Sequence, residues 1–328
     1  MKVSLNRVLA ALLGCFALAC EDSFSPKVPI EPHPVLYCVV TVDPRFDRGS
    51  IEATLTRVYD VVGLDPATRT GNPAITGAAV TLAVGPRTYT LAEQIVTGWL
   101  PGGDTTSVLC YRHLAVMSWP GDTITITART PSNEVLTAKT ITPLPSPVDP
   151  TPRFPHGVTT LVSEFTYGTA WIFDWQDDVD EEHLFFPSLT LRGEKSTDAG
   201  VIPVGNAIPI RLVDNDGTSL PVYPSYGGRK VLAFDFAAID WAMRQISDGD
   251  PEKGRYRMVS VTFSLTEFDF NLSRYYASVN GALDQFSVRL DETVYSNVRG
   301  GFGVLGSSTT TTRSFEIDKD YARSFGYR

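Results

Sequence analysis

Ile51-Glu52-Ala53-Thr54-Leu55-Thr56 changes from apolar to polar at every step. A period of two is the mark of a strand with one face buried and one in water. The pattern repeats outward from there. Val80, Leu82 and Val84 alternate, followed by Tyr89 and Leu91, and Ile124, Ile126 and Ala128 are spaced by threonines. Turn residues separate these runs at Gly71-Asn72-Pro73, Gly85-Pro86, Pro101-Gly102-Gly103-Asp104 and Pro120-Gly121-Asp122. Short strands at this spacing, with no helical run between them, predict an antiparallel sandwich over residues 35–142. No tryptophan stands shortly after Cys38, so the immunoglobulin signature is missing.

Pro143, Pro145, Pro147, Pro150, Pro152 and Pro155 crowd the next stretch. Proline cannot donate to a sheet ladder, so 143–157 reads as an extended spacer between two domains. Past it, Ala170–Trp175, an acidic turn and Leu184–Leu191 read as a strand pair. Phe236, Ile239, Met243 and Ile246 recur at helical spacing behind Asp235, an N-cap residue type. Phe268, Leu272, Tyr275, Tyr276, Val279 and Leu283 do the same, with Gly281 near the end of that helix. Met258–Leu265 is a strand between them, and Gly300–Ile317 supplies one or two closing strands. The fold class is therefore mainly β: an N-terminal antiparallel β-sandwich, then a second β-sandwich-like domain over 158–328 carrying two helices.

The first residues have a different character. Lys2 and Arg7 precede an uncharged apolar run, Val8 to Ala19, and Cys20 is followed at once by Glu21, Asp22 and Ser23. The run is shorter than the roughly 20 residues that span a bilayer. Its order fits a cleaved export signal over 1–19, with a lipobox-like cysteine where cutting would fall. Leu12-Leu13-Gly14-Cys15 resembles the usual lipobox more closely, but cutting there leaves a very short apolar region and an exposed Phe16–Ala19 tail. Cys20 is the expected lipidation site, and Pro26, Pro29, Pro32 and Pro34 make 20–34 an anchored tether.

The chain carries 28 Lys and Arg against 37 Asp and Glu, and loss of Lys2 and Arg7 with the signal makes the balance more acidic. Affinity for nucleic acid rests on basic side chains that neutralise phosphates, so a nucleic-acid partner is not expected. With the signal removed and Cys20 acylated, Cys38 and Cys110 remain. Export places them in an oxidising compartment, which invites a disulfide; two buried thiols acting as small apolar residues are the other reading.

No constellation amounts to a catalytic signature. Asp174, Asp177, Asp178, Asp180, Glu181, Glu182 and His183 form the densest charge cluster. Such carboxylates can bind calcium or do acid–base work, but six acids before a strand also make a solvated turn. Asp214-Asn215-Asp216-Gly217-Thr218 begins like a calcium loop, yet Ser225 stands where the bidentate glutamate belongs, and a hairpin turn fits better. His33, His113, His156 and His183 show no zinc spacing. No Gly-x-Ser-x-Gly elbow occurs, and no phosphate-cradling loop precedes a helix. No cofactor, metal site or catalytic residue is expected on this pattern.

Cys20-Glu21-Asp22, the Val35–Val42 strand, Gly77–Leu82 and above all Tyr295-Ser296-Asn297-Val298-Arg299-Gly300-Gly301-Phe302-Gly303-Val304-Leu305-Gly306 carry a resemblance. The chain resembles, over nearly its whole mature length, an outer-membrane lipoprotein family of unknown activity, domain of unknown function 4249, which is common in Bacteroidota-like bacteria. Members often stand beside TonB-dependent receptors. The resemblance implies an outer-membrane location and a role near nutrient uptake, and it carries over no catalytic residues. Two readings remain open: a non-catalytic binding or accessory protein, with a TonB-dependent receptor as partner, or a hydrolase acting on glycan or peptide. A structural or adhesive surface role also fits stacked sandwiches.

Overall fold

The computed structural model describes residues 32–42, 49–58, 73–99, 105–149, 160–161, 170–175, 183–210, 225–226, 231–280 and 295–328. The chain divides into two compact units. Of the first, residues 1–33 with 58–73, only Pro32, His33, Val58 and Pro73 fall among the described residues. The second, residues 34–57 with 74–328, holds the strands and helices.

Its strands are β1 (Pro34–Val42), β2 (Gly49–Arg57), β3 (Ala79–Val84), β4 (Arg87–Trp99), β5 (Thr105–Val116), β6 (Thr123–Arg129), β7 (Val135–Ile141) and β8 (Val148–Asp149). They continue with β9 (Thr160–Leu161), β10 (Ala170–Trp175), β11 (Leu184–Thr197), β12 (Gly200–Ile208), β13 (Ser225–Tyr226), β14 (Val231–Asp235), β15 (Tyr256–Phe268) and β16 (Phe302–Ile317). The helices among the described residues are α1 (Phe236–Gln245), α2 (Phe270–Asn280) and α3 (Lys319–Ser324), besides one short 3₁₀ turn, Lys253–Arg255. The protein is mainly β, as the alternation predicts.

The large sheet runs β12-β11-β15-β16-β1-β2-β5-β4-β3-β6-β7, and a second, small one runs β14-β10-β8. β4 turns the large sheet back on itself. Its Arg87–Leu91 half pairs with β3, and its Ala92–Trp99 half pairs with β5. Two layers result, and the alternating residues of the sequence fill the space between them: Leu36, Ile51, Ala53 and Leu55 from one, Val80, Leu82, Ile124 and Ile126 from the other. Beyond β16 the same sheet is covered by the small sheet and the helices. There Phe173 stacks on Phe263 with ring centroids 4.1 Å apart, and Trp171 meets Phe315 edge-on at 4.8 Å. The helical stripe Phe236, Ile239 and Met243 is buried in this second core.

The spacer read at 143–157 thus separates two hydrophobic cores but not two separate bodies. β16 joins them end to end: Phe302–Thr309 pairs in parallel with β1, and Ser308–Glu316 pairs antiparallel with β15. The Ala170–Trp175 and Leu184–Leu191 strands are not paired either, since β10 lies in the small sheet and β11 in the large one. Asp235 sits at the N-cap of α1, but its side chain makes no capping bond.

The Cys38–Cys110 disulfide is not formed, and the register says why. Cys38 pairs with Ala53, and Ala53 pairs with Tyr111. Cys38 and Tyr111 therefore share a face of the sheet, and Cys110, one residue before Tyr111, takes the other. Two strand spacings separate them by about 9–10 Å, whereas bridged cysteines have Cα atoms within about 7 Å. Both thiols are buried, and burial pushes the Cys38 thiol up to about 12. Alkylation of the unreduced, denatured mature protein should recover two free thiols per chain, and the native protein should resist the reagent. A product blocked at both positions would contradict the register.

Candidate functional site

The motif that carries the family resemblance is the seam between the two cores. Asn297 closes a ring with β16: its amide donates to the Leu305 carbonyl at 2.8 Å, and the Leu305 N–H donates back at 2.9 Å. Gly303, with φ +112°, leaves room for the Leu36 carbonyl, which a Cβ would meet at 1.9 Å. A Cβ on Gly306 would lie 2.6 Å from that of Leu272 on α2. These glycines are the places where β1 and α2 lie against β16.

The polar residues next along β16 are buried. Ser307, Ser308 and Thr309 are each at most 2% exposed. Two of their hydroxyls hold the end of β7 and the chain just after it: Ser307 donates to the Ile141 carbonyl at 3.2 Å and Thr309 to that of Pro143 at 2.8 Å. Asp269 completes the seam. One carboxylate oxygen accepts from the Ser307 N–H and hydroxyl, each at 2.7 Å, and from Thr140; the other accepts from the Leu272 N–H at 2.7 Å and so caps α2. Burial pushes its carboxyl up, against the pull of these donors.

Above this seam lies a cleft of about 450 Å³. One wall is Lys139–Leu144, the end of β7 with the three residues after it, and the other is Asp269–Asn271, where α2 begins; His183 also lines it. Apolar side chains stand at its mouth: Leu144 is 64% exposed, Ile141 56% and Phe270 45%. The Arg274 guanidinium lies over the Phe270 ring, 5.3 Å from its centre. Asn271 is held between the Thr140 hydroxyl, to which it donates at 2.9 Å, and Tyr295, whose hydroxyl donates to it at 2.7 Å. Beneath His183 is Glu267, 1% exposed. One of its oxygens accepts from the Ser146 hydroxyl at 2.6 Å and N–H at 3.2 Å; the other faces His183 Nδ1 at 3.4 Å.

Of the residues singled out by sequence, His183 is brought to the cleft. Asp174 lies on β10 in the small sheet. The remainder of the acidic cluster, the Asp214–Thr218 turn, Cys15, Cys20 and His156 lie outside the described residues. His113 is on β5, where it accepts from the Ala115 N–H at 3.2 Å and meets the edge of Tyr89. Among the described residues no group of three or more His, Cys, Asp or Glu is arranged to hold a metal ion. Glu267, Asp269, Asn271 and Ser307 were not legible as site residues. Asp269 is an N-cap residue type, but the helical stripe read from the sequence begins at Phe268, before it, so the cap was hidden inside the stripe.

A family model described as a domain of unknown function, DUF4249, matches residues 21–314. No curated protein matches the chain.

Proposed function

We propose, from the premise that this chain belongs to the DUF4249 family, that it is a lipid-anchored binding protein of the outer membrane, attached through Cys20 and serving a TonB-dependent receptor in nutrient uptake. The observation that carries the binding half of this reading is where the cleft spends its acids. Both oxygens of Asp269 and one of Glu267 are taken up by hydroxyls and backbone N–H groups of the framework. Groups so committed hold the walls in place and are poorly disposed to exchange protons with a substrate. What the cleft offers outward is apolar surface with a polar rim, the composition of a contact site. The anchor rests on the order of charge, apolar run and cysteine in residues 1–23, and the outer-membrane location and the receptor partner on what the family resemblance implies.

The test is affinity isolation of the tagged protein from detergent-solubilised membranes, alongside labelling with a fatty-acid analogue. The wild type should take the label and bring down a TonB-dependent receptor, and Cys20→Ser should lose the label. A label lost with Cys15→Ser alone would move the anchor; no receptor with the labelled wild type would remove the partner. Truncation after residue 157 would be a poor probe, because it strips β16 from β1.

A hydrolase reading has one observation in its favour: a carboxylate against His183 Nδ1 is the arrangement that orients a general base. The threonine hydroxyls beside it are engaged elsewhere, Thr140 with Asp269 and Thr142 with the Trp119 carbonyl. Turnover of a glycan or peptide that His183→Gln abolishes would favour the enzyme.

A further inference from the structure

We propose that the outer half of the β4–β5 hairpin is the contact through which two copies of this chain pair, β4 against β4 across a two-fold axis. At its base the hairpin is flanked on both sides: Arg87–Leu91 of β4 by β3, and Tyr111–Val116 of β5 by β2. Further out, Gln94–Trp99 and Thr105–Cys110 pair with each other residue for residue, and no third strand among the described residues joins them. Both faces of this arm meet water. Ile95 is 71% exposed, and Val108, on the opposite face, is 45% exposed. A two-stranded ribbon on its own is marginal in water, and further strands are what make it stable.

The arm lacks the protections that open edges usually carry, which are charge, proline or a covering segment. The two ends of the same sheet have them. β12 carries Pro203 opposite Glu194, and β7 carries Lys139 and is bridged at Thr137 by Arg299. Gln94–Trp99 and Thr105–Cys110 hold neither a charge nor a proline. Asp104 belongs to the turn between them, outside the described residues. Glu93, at the base of the free edge of β4, has its carboxylate engaged by the Gly77 N–H and the Tyr111 hydroxyl.

Charge and symmetry decide the occupant. With 28 Lys and Arg against 37 Asp and Glu, two copies repel each other unless they meet through uncharged surface. A two-fold axis through Ile95, normal to the sheet, sets Ile95 against its copy, Gln94 against Val96 and Glu93 against Thr97. No like charges oppose each other in this register, and the two arms fuse into four strands in the order β5-β4-β4-β5. The edge of β4 is thus complementary to itself, as an isologous contact requires.

The experiment has two arms. In the full-length protein on membranes, Ile95→Cys should form a disulfide-linked dimer on mild oxidation, because residues directly opposite in an antiparallel pair have Cα atoms within bridging distance. Val201→Cys, on β12 and 62% exposed, should not, and the buried Cys38 and Cys110 leave the background low. In solution, the chain from Glu21 onward, which contains every described element, should sediment as a concentration-dependent dimer. Ile95→Lys sets like charges opposite each other and should weaken that dimer at least about tenfold, with the circular dichroism of the chain unchanged. A monomer at every concentration with no Ile95→Cys dimer, a dimer indifferent to Ile95→Lys, or a cross-link of Ile95→Cys to another protein alone would each overturn the assignment. Receptor recovery by the wild type is a separate measurement, so this inference and the partner reading fail independently.

Discussion

Gly303→Ala should abolish cooperative folding or cost at least about 4 kcal/mol, the range reserved for substitutions that break a named structural device. Two independent penalties meet at this residue. Its φ of +112° is one that L side chains rarely adopt. Its Cβ would also lie 1.9 Å from the Leu36 oxygen and 2.7 Å from the Leu36 carbonyl carbon, both backbone atoms with no rotamer to escape into. Leu36 and Gly303 are register partners in the parallel β1–β16 ladder. The clash is therefore relieved only by parting these strands, which are where the two cores share a sheet. Gly254→Ala is the control. Its Cβ meets nothing within 4 Å and its φ is ordinary, so its urea midpoint should stay close to that of the wild type. A Gly303→Ala chain that melts within about 1 kcal/mol of the wild type would mean that the β1–β16 register is wrong.

The same strand shows what a sequence does and does not disclose. Ile51–Thr56 and Val80–Val84 were legible because alternation is local: the pleat sorts neighbours to opposite faces whatever lies across the sheet. The α1 stripe was legible for the same reason at period 3.6. The partner of β16 is not a local property. Val304 and Tyr37 are paired across more than 260 positions, and nothing in either run specifies the other. Hydroxyl residues hide their role in the same way. Ser307 and Thr309 look solvated by composition, and their burial depends on carbonyls of Ile141 and Pro143 that only the fold supplies. The prolines at 143–147 read as a spacer because proline cannot donate. The Pro143 carbonyl still accepts, from the Thr309 hydroxyl, and this holds the start of the segment against β16 without its being part of a ladder. The resemblance motif was visible, but its residues are a clasp for backbone, so recognising it placed the family and said little about the cleft.

Asp269→Ala should destabilise the protein by about 3–5 kcal/mol, because it orphans the backbone N–H groups of Ser307 and Leu272 inside the seam, each at a cost of about 1–3 kcal/mol, and releases Thr140. A helix cap alone is worth about 1 kcal/mol, and Asp269→Ser separates the two contributions. Serine can still cap α2 at Leu272 but cannot also reach across to Ser307 and Thr140, so it should recover about that 1 kcal/mol and no more. If Asp269→Ser restores nearly all the loss, the residue is a cap and the seam is held by other groups. The pH dependence supplies a second check. Burial raises the Asp269 pKa in the folded chain above its value in the unfolded one. The folded state then binds the proton more tightly, so this group's contribution falls as pH rises through the raised value and is most favourable below the unfolded pKa. Asp269→Asn should flatten that decline in a series of urea melts from acid toward neutral pH. A decline that survives unchanged in Asp269→Asn would have to be assigned to another group, and the carboxyl of Asp269 would then bind its proton equally well in both states.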